Sequence, residues 1–132
     1  MKTVSSGSYE RAYSRRLSLP PRDWRVRIED ILESLSKIER YTRGMTVEEF
    51  RTDDKTVDAV VRNLGIIGEA ARHVPPDVQE LYPRLPWSQM RGMRNVVIHE
   101  YSSVSTRIIW QTVTENLPPL APMLREILEK ES

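Results

Sequence analysis

After Asp23, apolar side chains recur at helical intervals along nearly the whole chain. Trp24, Ile28, Ile31, Leu32, Leu35 and Ile38 follow one another at such spacing with charges between them, the stripe of an amphipathic helix. Asp23 offers an N-cap and Arg43-Gly44 a stop. Thr46-Val47-Glu48-Glu49 has capping-box form and predicts one short helical turn. A second long helix is predicted from about Asp54 to His73 on Val57, Val60, Val61, Leu64, Ile67, Ala71 and Val74, ended by Pro75-Pro76. A short helical piece then precedes Pro83 and Pro86. The third helix starts near Pro86-Trp87 and carries Met90, Val97 and Ile98 toward Tyr101. The last begins near Ser105 and contains Ile108, Ile109, Val113, Leu117, Leu124, Ile127 and Leu128, with Pro118, Pro119 and Pro122 expected to kink or split it. No alternating strand pattern or Asn-Gly hairpin signal competes. The pattern predicts an all-α fold, an antiparallel bundle of four to five helices over residues 23–132.

Composition narrows the picture. A chain of 132 residues with 39% hydrophobic and 30% charged residues suits one domain with one core. The absence of Cys removes disulfide scaffolds, thiolate metal sites and cysteine nucleophiles. No apolar run approaches the roughly 18–20 residues of a membrane span, so no membrane association is expected. The net charge is only +1, but it is unevenly spread. Residues 1–22 hold Lys2, Arg11, Arg15, Arg16 and Arg22 against Glu10 alone. With its serines and Pro20-Pro21, this stretch reads as a basic, flexible arm without a core face. Ser14-Arg15-Arg16-Leu17 has the look of a twin-arginine signal, yet Pro20-Pro21-Arg22-Asp23 follows where an apolar segment is required. A cytoplasmic location is the expectation.

Only His73 and His99 are available for acid–base work near neutral pH. On a helical wheel centred on Arg94, Trp87, Met90, Val97, Ile98 and Tyr101 all fall within about 60°. Arg94 thus sits in the middle of the apolar face, where a guanidinium is costly unless it meets an anion or an aqueous rim. Glu69 on the neighbouring helix is a candidate partner, and such a pair can be purely structural. A second stripe, Ser88, Gly92, Asn95 and His99, lies about 100–160° away. It is either a solvated polar face or, because Ser88 and Gly92 admit a close backbone, an interface that contains chemistry. Arg94 and His99 lie about 140° apart on one helix. A second copy related by a two-fold axis would bring them together, which favours a homodimeric site.

Arg94-Asn95-Val96-Val97-Ile98-His99-Glu100-Tyr101 is an Arg, four residues, a His, one residue and a Tyr near the end of a helix in an all-α chain. This resembles the HEPN ribonuclease signature as found in the HepT-like toxin family. The similarity extends to Asp23-Trp24-Arg25 through Ile28-Glu29-Asp30-Ile31, Lys55-Thr56-Val57-Asp58-Ala59-Val60, Ile66-Ile67-Gly68-Glu69-Ala70-Ala71, Pro86-Trp87, Met93-Arg94-Asn95 and Asn116-Leu117-Pro118. It covers residues 23–130 and leaves the basic arm outside. Ser102-Ser103-Val104-Ser105 departs from it, where relatives carry an aromatic or Gly and then an Asp. The resemblance implies a HEPN-like bundle that dimerises so that both Arg–His motifs border one cleft, and metal-independent RNA cleavage without a cofactor. Arg94 and His99 are then the catalytic residues, with Asn95 assisting and Glu69 and Gly92 in support. It further implies the toxin of a type VII (HEPN/MNT) toxin–antitoxin system, in which a minimal nucleotidyltransferase antitoxin attaches AMP to Tyr101. Read from the residues alone, Tyr101 is a core-capping tyrosine with its hydroxyl outward, and it is the resemblance that reverses this.

Other readings are weaker. Glu69 and His73 lie four apart and could join His99 at a metal, but no HExxH motif, Cys or further His completes such a site. A metal is not expected. The main alternative is a non-catalytic nucleotide- or partner-binding helical module that works with a nucleotidyltransferase. A DNA-binding regulator has only the basic arm in its favour.

Overall fold

In the computed structural model, which describes residues 23–95 and 105–131, the first apolar stripe forms α1 (Asp23–Thr42). Ile28, Ile31, Leu35 and Ile38 are buried along one face. Gly44 then turns the chain at φ +77°, where a Cβ would meet nothing within 4 Å. Backbone geometry rather than space therefore calls for glycine there.

The short turn is α2 (Val47–Arg51), and its capping box is complete. Thr46 Oγ1 accepts from the Glu49 amide at 3.1 Å and Glu49 Oε1 accepts from the Thr46 amide at 2.9 Å. Five residues cannot hold themselves as an isolated helix. Phe50 supplies the anchor: it is fully buried, with its ring 5.1 Å from that of Trp110.

Next comes α3 (Asp54–Arg72), capped by Asp53, whose carboxylate accepts from the Thr56 amide at 3.1 Å. That backbone donor is the main reason the Asp53 carboxyl titrates below its ordinary range. Val57, Val60, Val61, Leu64, Ile67, Ala70 and Ala71 face the core. His73 closes the helix, and α4 (Pro76–Leu81) and α5 (Trp87–Asn95) follow. Trp87 is buried and spends its indole N–H on the Tyr82 carbonyl at 3.0 Å. The continuation of that stripe toward Tyr101 lies outside the described residues.

Ser105 caps α6 (Thr106–Gln111) by accepting from the Arg107 amide at 3.1 Å. The chain then widens into a π-helical segment, Thr112–Asn116, and restarts as α7 (Leu120–Lys130). The prolines explain the split. Pro118 and Pro119 have no N–H to offer the carbonyls of Thr114 and Glu115, so the α ladder fails there. The Leu117 amide instead reaches back five residues to Thr112 at 3.0 Å. Pro119 takes the cap of α7 and Pro122 falls in its first turn, where a missing donor costs nothing.

The central helix is α3, with α1 and α5 packed against it, while α7 packs on α1 and α2 packs on both α3 and α6. One continuous core of aliphatic side chains, with Phe50, Trp87 and Met90, joins them. Each fully buried Ile, Leu or Val contributes about 1.5–3 kcal/mol. Two polar pins tie α1 and the end of α4 to α7 and its C-cap. Arg25 Nη1 donates to the Leu128 carbonyl at 3.2 Å, and the Tyr82 hydroxyl donates to Glu131 Oε2 at 2.7 Å. The fold is all-helical, and among the described residues no helix is long and apolar enough to cross a membrane.

Candidate functional site

A glycine in the middle of a helix costs about 1 kcal/mol relative to alanine unless something needs the space. At Gly68, toward the C-terminal end of α3, something does. A Cβ built there would lie 2.5 Å from the Arg94 amide nitrogen, 2.9 Å from Arg94 Cβ and 3.1 Å from the Arg91 carbonyl oxygen. The backbones of α3 and α5 therefore meet at this point, and the next residue along α3, Glu69, is carried to the guanidinium of Arg94. Arg94 Nε lies 3.0 Å from Glu69 Oε1.

The pair is not sealed in the core. Arg94 is 41% exposed and Glu69 44%. The wheel placed Arg94 at the centre of an apolar face, and Trp87 and Met90 on that face are buried. The guanidinium avoids the cost in both available ways, by finding an anion and by reaching the rim.

Glu69 holds more than one cation. Arg72 Nη1 donates to the same Oε1 at 3.2 Å, and His73 Nδ1 stands 3.8 Å from Oε2. His73 Nδ1 is also 2.9 Å from the Glu69 backbone carbonyl. A carbonyl only accepts, so Nδ1 carries the hydrogen and Nε2 keeps the lone pair in the neutral ring. Nearby, Arg91 Nη1 donates to Gln79 Oε1 at 2.8 Å, and Gln79 in turn donates to the Val74 carbonyl at 2.9 Å. Positive charge thus gathers where α3 ends against α5.

Of the residues singled out from sequence, Arg94 and Glu69 are brought together. Asn95 and Ser88 are exposed and Gly92 is half-buried, where a Cβ would meet nothing within 4 Å among the described residues. The close backbone approach found within the chain is made by Gly68, not Gly92. His99 and Tyr101 lie outside the described residues. Among the described residues no three His, Asp or Glu side chains are grouped to hold a metal. Asn63, buried in α3, donates through Nδ2 to the Ala59 carbonyl at 2.9 Å, while its Oδ1 has no partner. Neither Gly68 nor Asn63 was singled out for a role; the signal for Gly68 was its place inside a helical run.

An apolar groove of about 540 Å³ runs between α1 and the α6–π–α7 segment over Leu32, Leu35, Met45, Trp110, Val113 and Leu117. No candidate residue lines it. The half-exposed charges lie apart from it, at the α3–α5 contact.

Comparison with known proteins bears on that contact. The family model "Ribonuclease HepT-like" matches residues 31–127. A protein of Thermococcus cleftensis named "Probable ribonuclease HepT" is 45% identical over 93 residues, which cover 70% of this chain and 84% of that one. A candidate RNase of Caldanaerobacter subterraneus subsp. tengcongensis is 38% identical over 79% of this chain and 93% of its own. One from Methanocaldococcus jannaschii is 38% identical over 84% of this chain and 92% of its own. No solved structure matches the chain. The Gly68-Glu69 and Arg94 positions fall inside the matched span, and the chain belongs to the HepT-like ribonuclease family.

Proposed function

We propose that the chain is a metal-independent endoribonuclease, the toxin of a type VII (HEPN/MNT) toxin–antitoxin system acting in the cytoplasm. The observation that carries this reading is a half-exposed Arg94 guanidinium, held by Glu69 at the α3–α5 contact, in a member of a ribonuclease family. Residues 23–132 form the working bundle, preceded by the basic arm 1–22. Two copies pair so that their Arg94 and His99 side chains border one cleft.

In that cleft a ribose 2′-oxygen attacks the adjacent phosphorus while the bond from phosphorus to the 5′-oxygen breaks. His99 takes the 2′-hydroxyl proton or delivers one to the departing 5′-oxygen, since imidazole exchanges protons near neutral pH. Arg94 neutralises the charge that gathers on the phosphorane oxygens. Asn95 orients His99 or donates to a phosphate oxygen. The products are a 2′,3′-cyclic phosphate and a 5′-hydroxyl. AMP attached to Tyr101 by a nucleotidyltransferase antitoxin adds bulk and negative charge at the cleft and so excludes RNA.

The test is direct. The purified protein in EDTA should cut RNA and leave cyclic phosphate ends, and His99→Ala should not. Tight nucleotide binding without cleavage would replace this reading with a non-catalytic module. With ATP and the cognate transferase, mass spectrometry should find AMP on the wild type. An adduct that persists in Tyr101→Phe would remove the tyrosine from the scheme.

A further inference from the structure

We infer that Arg72 and His73, at the end of α3, form a binding subsite for the RNA backbone phosphate next to the one Arg94 engages. This rests on the ribonuclease reading given above. The carboxylate of Glu69 carries one negative charge, yet Arg72, Arg94 and His73 all approach it within 4 Å. One carboxylate balances one guanidinium. The second positive charge is surplus, and Arg91 adds a further cation whose contact, Gln79, is neutral.

The surplus faces water. Arg72 is 50% exposed and His73 38%, so neither is consumed by a buried structural contact. Arg72 Nη1 and Arg94 Nε share one carboxylate oxygen, which fixes them within two hydrogen-bond lengths of each other. A strand whose scissile phosphate meets Arg94 must therefore carry a neighbouring phosphate past the last turn of α3. The guanidinium of Arg72 can grip that phosphate through its fork. His73 offers complementary chemistry. With Nδ1 committed to the Glu69 carbonyl, its neutral Nε2 can accept from a ribose 2′-hydroxyl, and its protonated form can donate to a phosphate oxygen.

The ligand class is single-stranded RNA, read through charge and sugar rather than base identity. Counterion release gives the measurement. Each phosphate neutralised on a single strand steepens the dependence of log K on log salt by about 0.7. The probe is a 2′-O-methylated oligonucleotide, which binds but offers no 2′-hydroxyl to attack, titrated across salt concentrations with the full chain. Arg72→Gln should weaken binding about three- to tenfold at low salt and flatten the slope by about 0.7, alike across base sequences. Arg72→Lys, which keeps the charge, should restore the slope. Circular dichroism of each variant separates loss of a contact from loss of the fold.

A slope unchanged in a folded Arg72→Gln protein would overturn the subsite, as would a flattened slope that Arg72→Lys does not restore. Cleavage of unmodified RNA by the wild type, run in parallel, keeps the two ideas apart. Cleavage with an unchanged slope removes the subsite and leaves the ribonuclease. A slope that follows Arg72 without any cleavage keeps the RNA contact and removes the ribonuclease.

Discussion

Glu69 stands among two guanidiniums and an imidazole and spends its charge on ordering them rather than on stability. Exposed ion pairs of this kind contribute only about 0–1 kcal/mol. What the carboxylate supplies is the direction of the Arg94 guanidinium, and small misplacements at a reacting phosphate are expensive. Glu69→Gln keeps the shape and removes the charge. It should lower the rate of RNA cleavage about 10- to 100-fold, while thermal denaturation moves little. An unchanged rate would show that Arg94 needs no holder. Tyr82 makes a different kind of contact. Its hydroxyl donates to Glu131, which, together with burial, raises its pKa to about 12. A phenol with a raised pKa stabilises the fold at all pH values below its unfolded value. That contribution fades as pH climbs from about 10, the unfolded value, through about 12. Spectroscopic titration of the tyrosinates should show one late-ionising group, absent in Tyr82→Phe.

The α3–α5 contact depends on the lack of a side chain at Gly68. Gly68→Ala gains helix propensity but drives a methyl into the Arg94 backbone, where the neighbour is main chain and cannot swing aside. It should destabilise the protein by about 1–3 kcal/mol and shift Arg94; a stabilised variant in chemical denaturation would contradict the close approach. Phe50 has the opposite role, filling space so that a five-residue helix stays docked. Phe50→Ala should cost about 3–5 kcal/mol. These elements differ in how far they could be read in advance. The periodic stripes of α1 and α3, the Thr46–Glu49 box and the Ser105 cap are local, and one-dimensional pattern carries local information. The run of Pro118, Pro119 and Pro122 announced an interruption, though not that it would pass through a π turn, because the choice between kink and split depends on packing. Arg94 was conspicuous as a charge on an apolar stripe. The glycine that meets it was not, since a close approach between helices is a property of two segments and leaves only a weak mark on either one.

At the scale of the whole molecule, the helical wheel of the sequence sets Arg94 and His99 about 140° apart, too wide an angle to serve a single phosphate unaided. The proposed pairing of two copies across a two-fold axis answers this. Arg94→Ala and His99→Ala should each abolish cleavage, for each removes a group from both Arg–His sets of the shared cleft. The decisive measurement is the cleavage rate after the two inactive proteins are mixed and allowed to exchange subunits. The wild-type cleft holds two Arg–His sets, each with its arginine from one copy and its histidine from the other, and a mixed dimer keeps one of them intact. About half the dimers are mixed and each has one of two sets working, so about a quarter of wild-type activity should return. A mixture as inactive as its two components, with subunit exchange verified, would contradict the shared cleft.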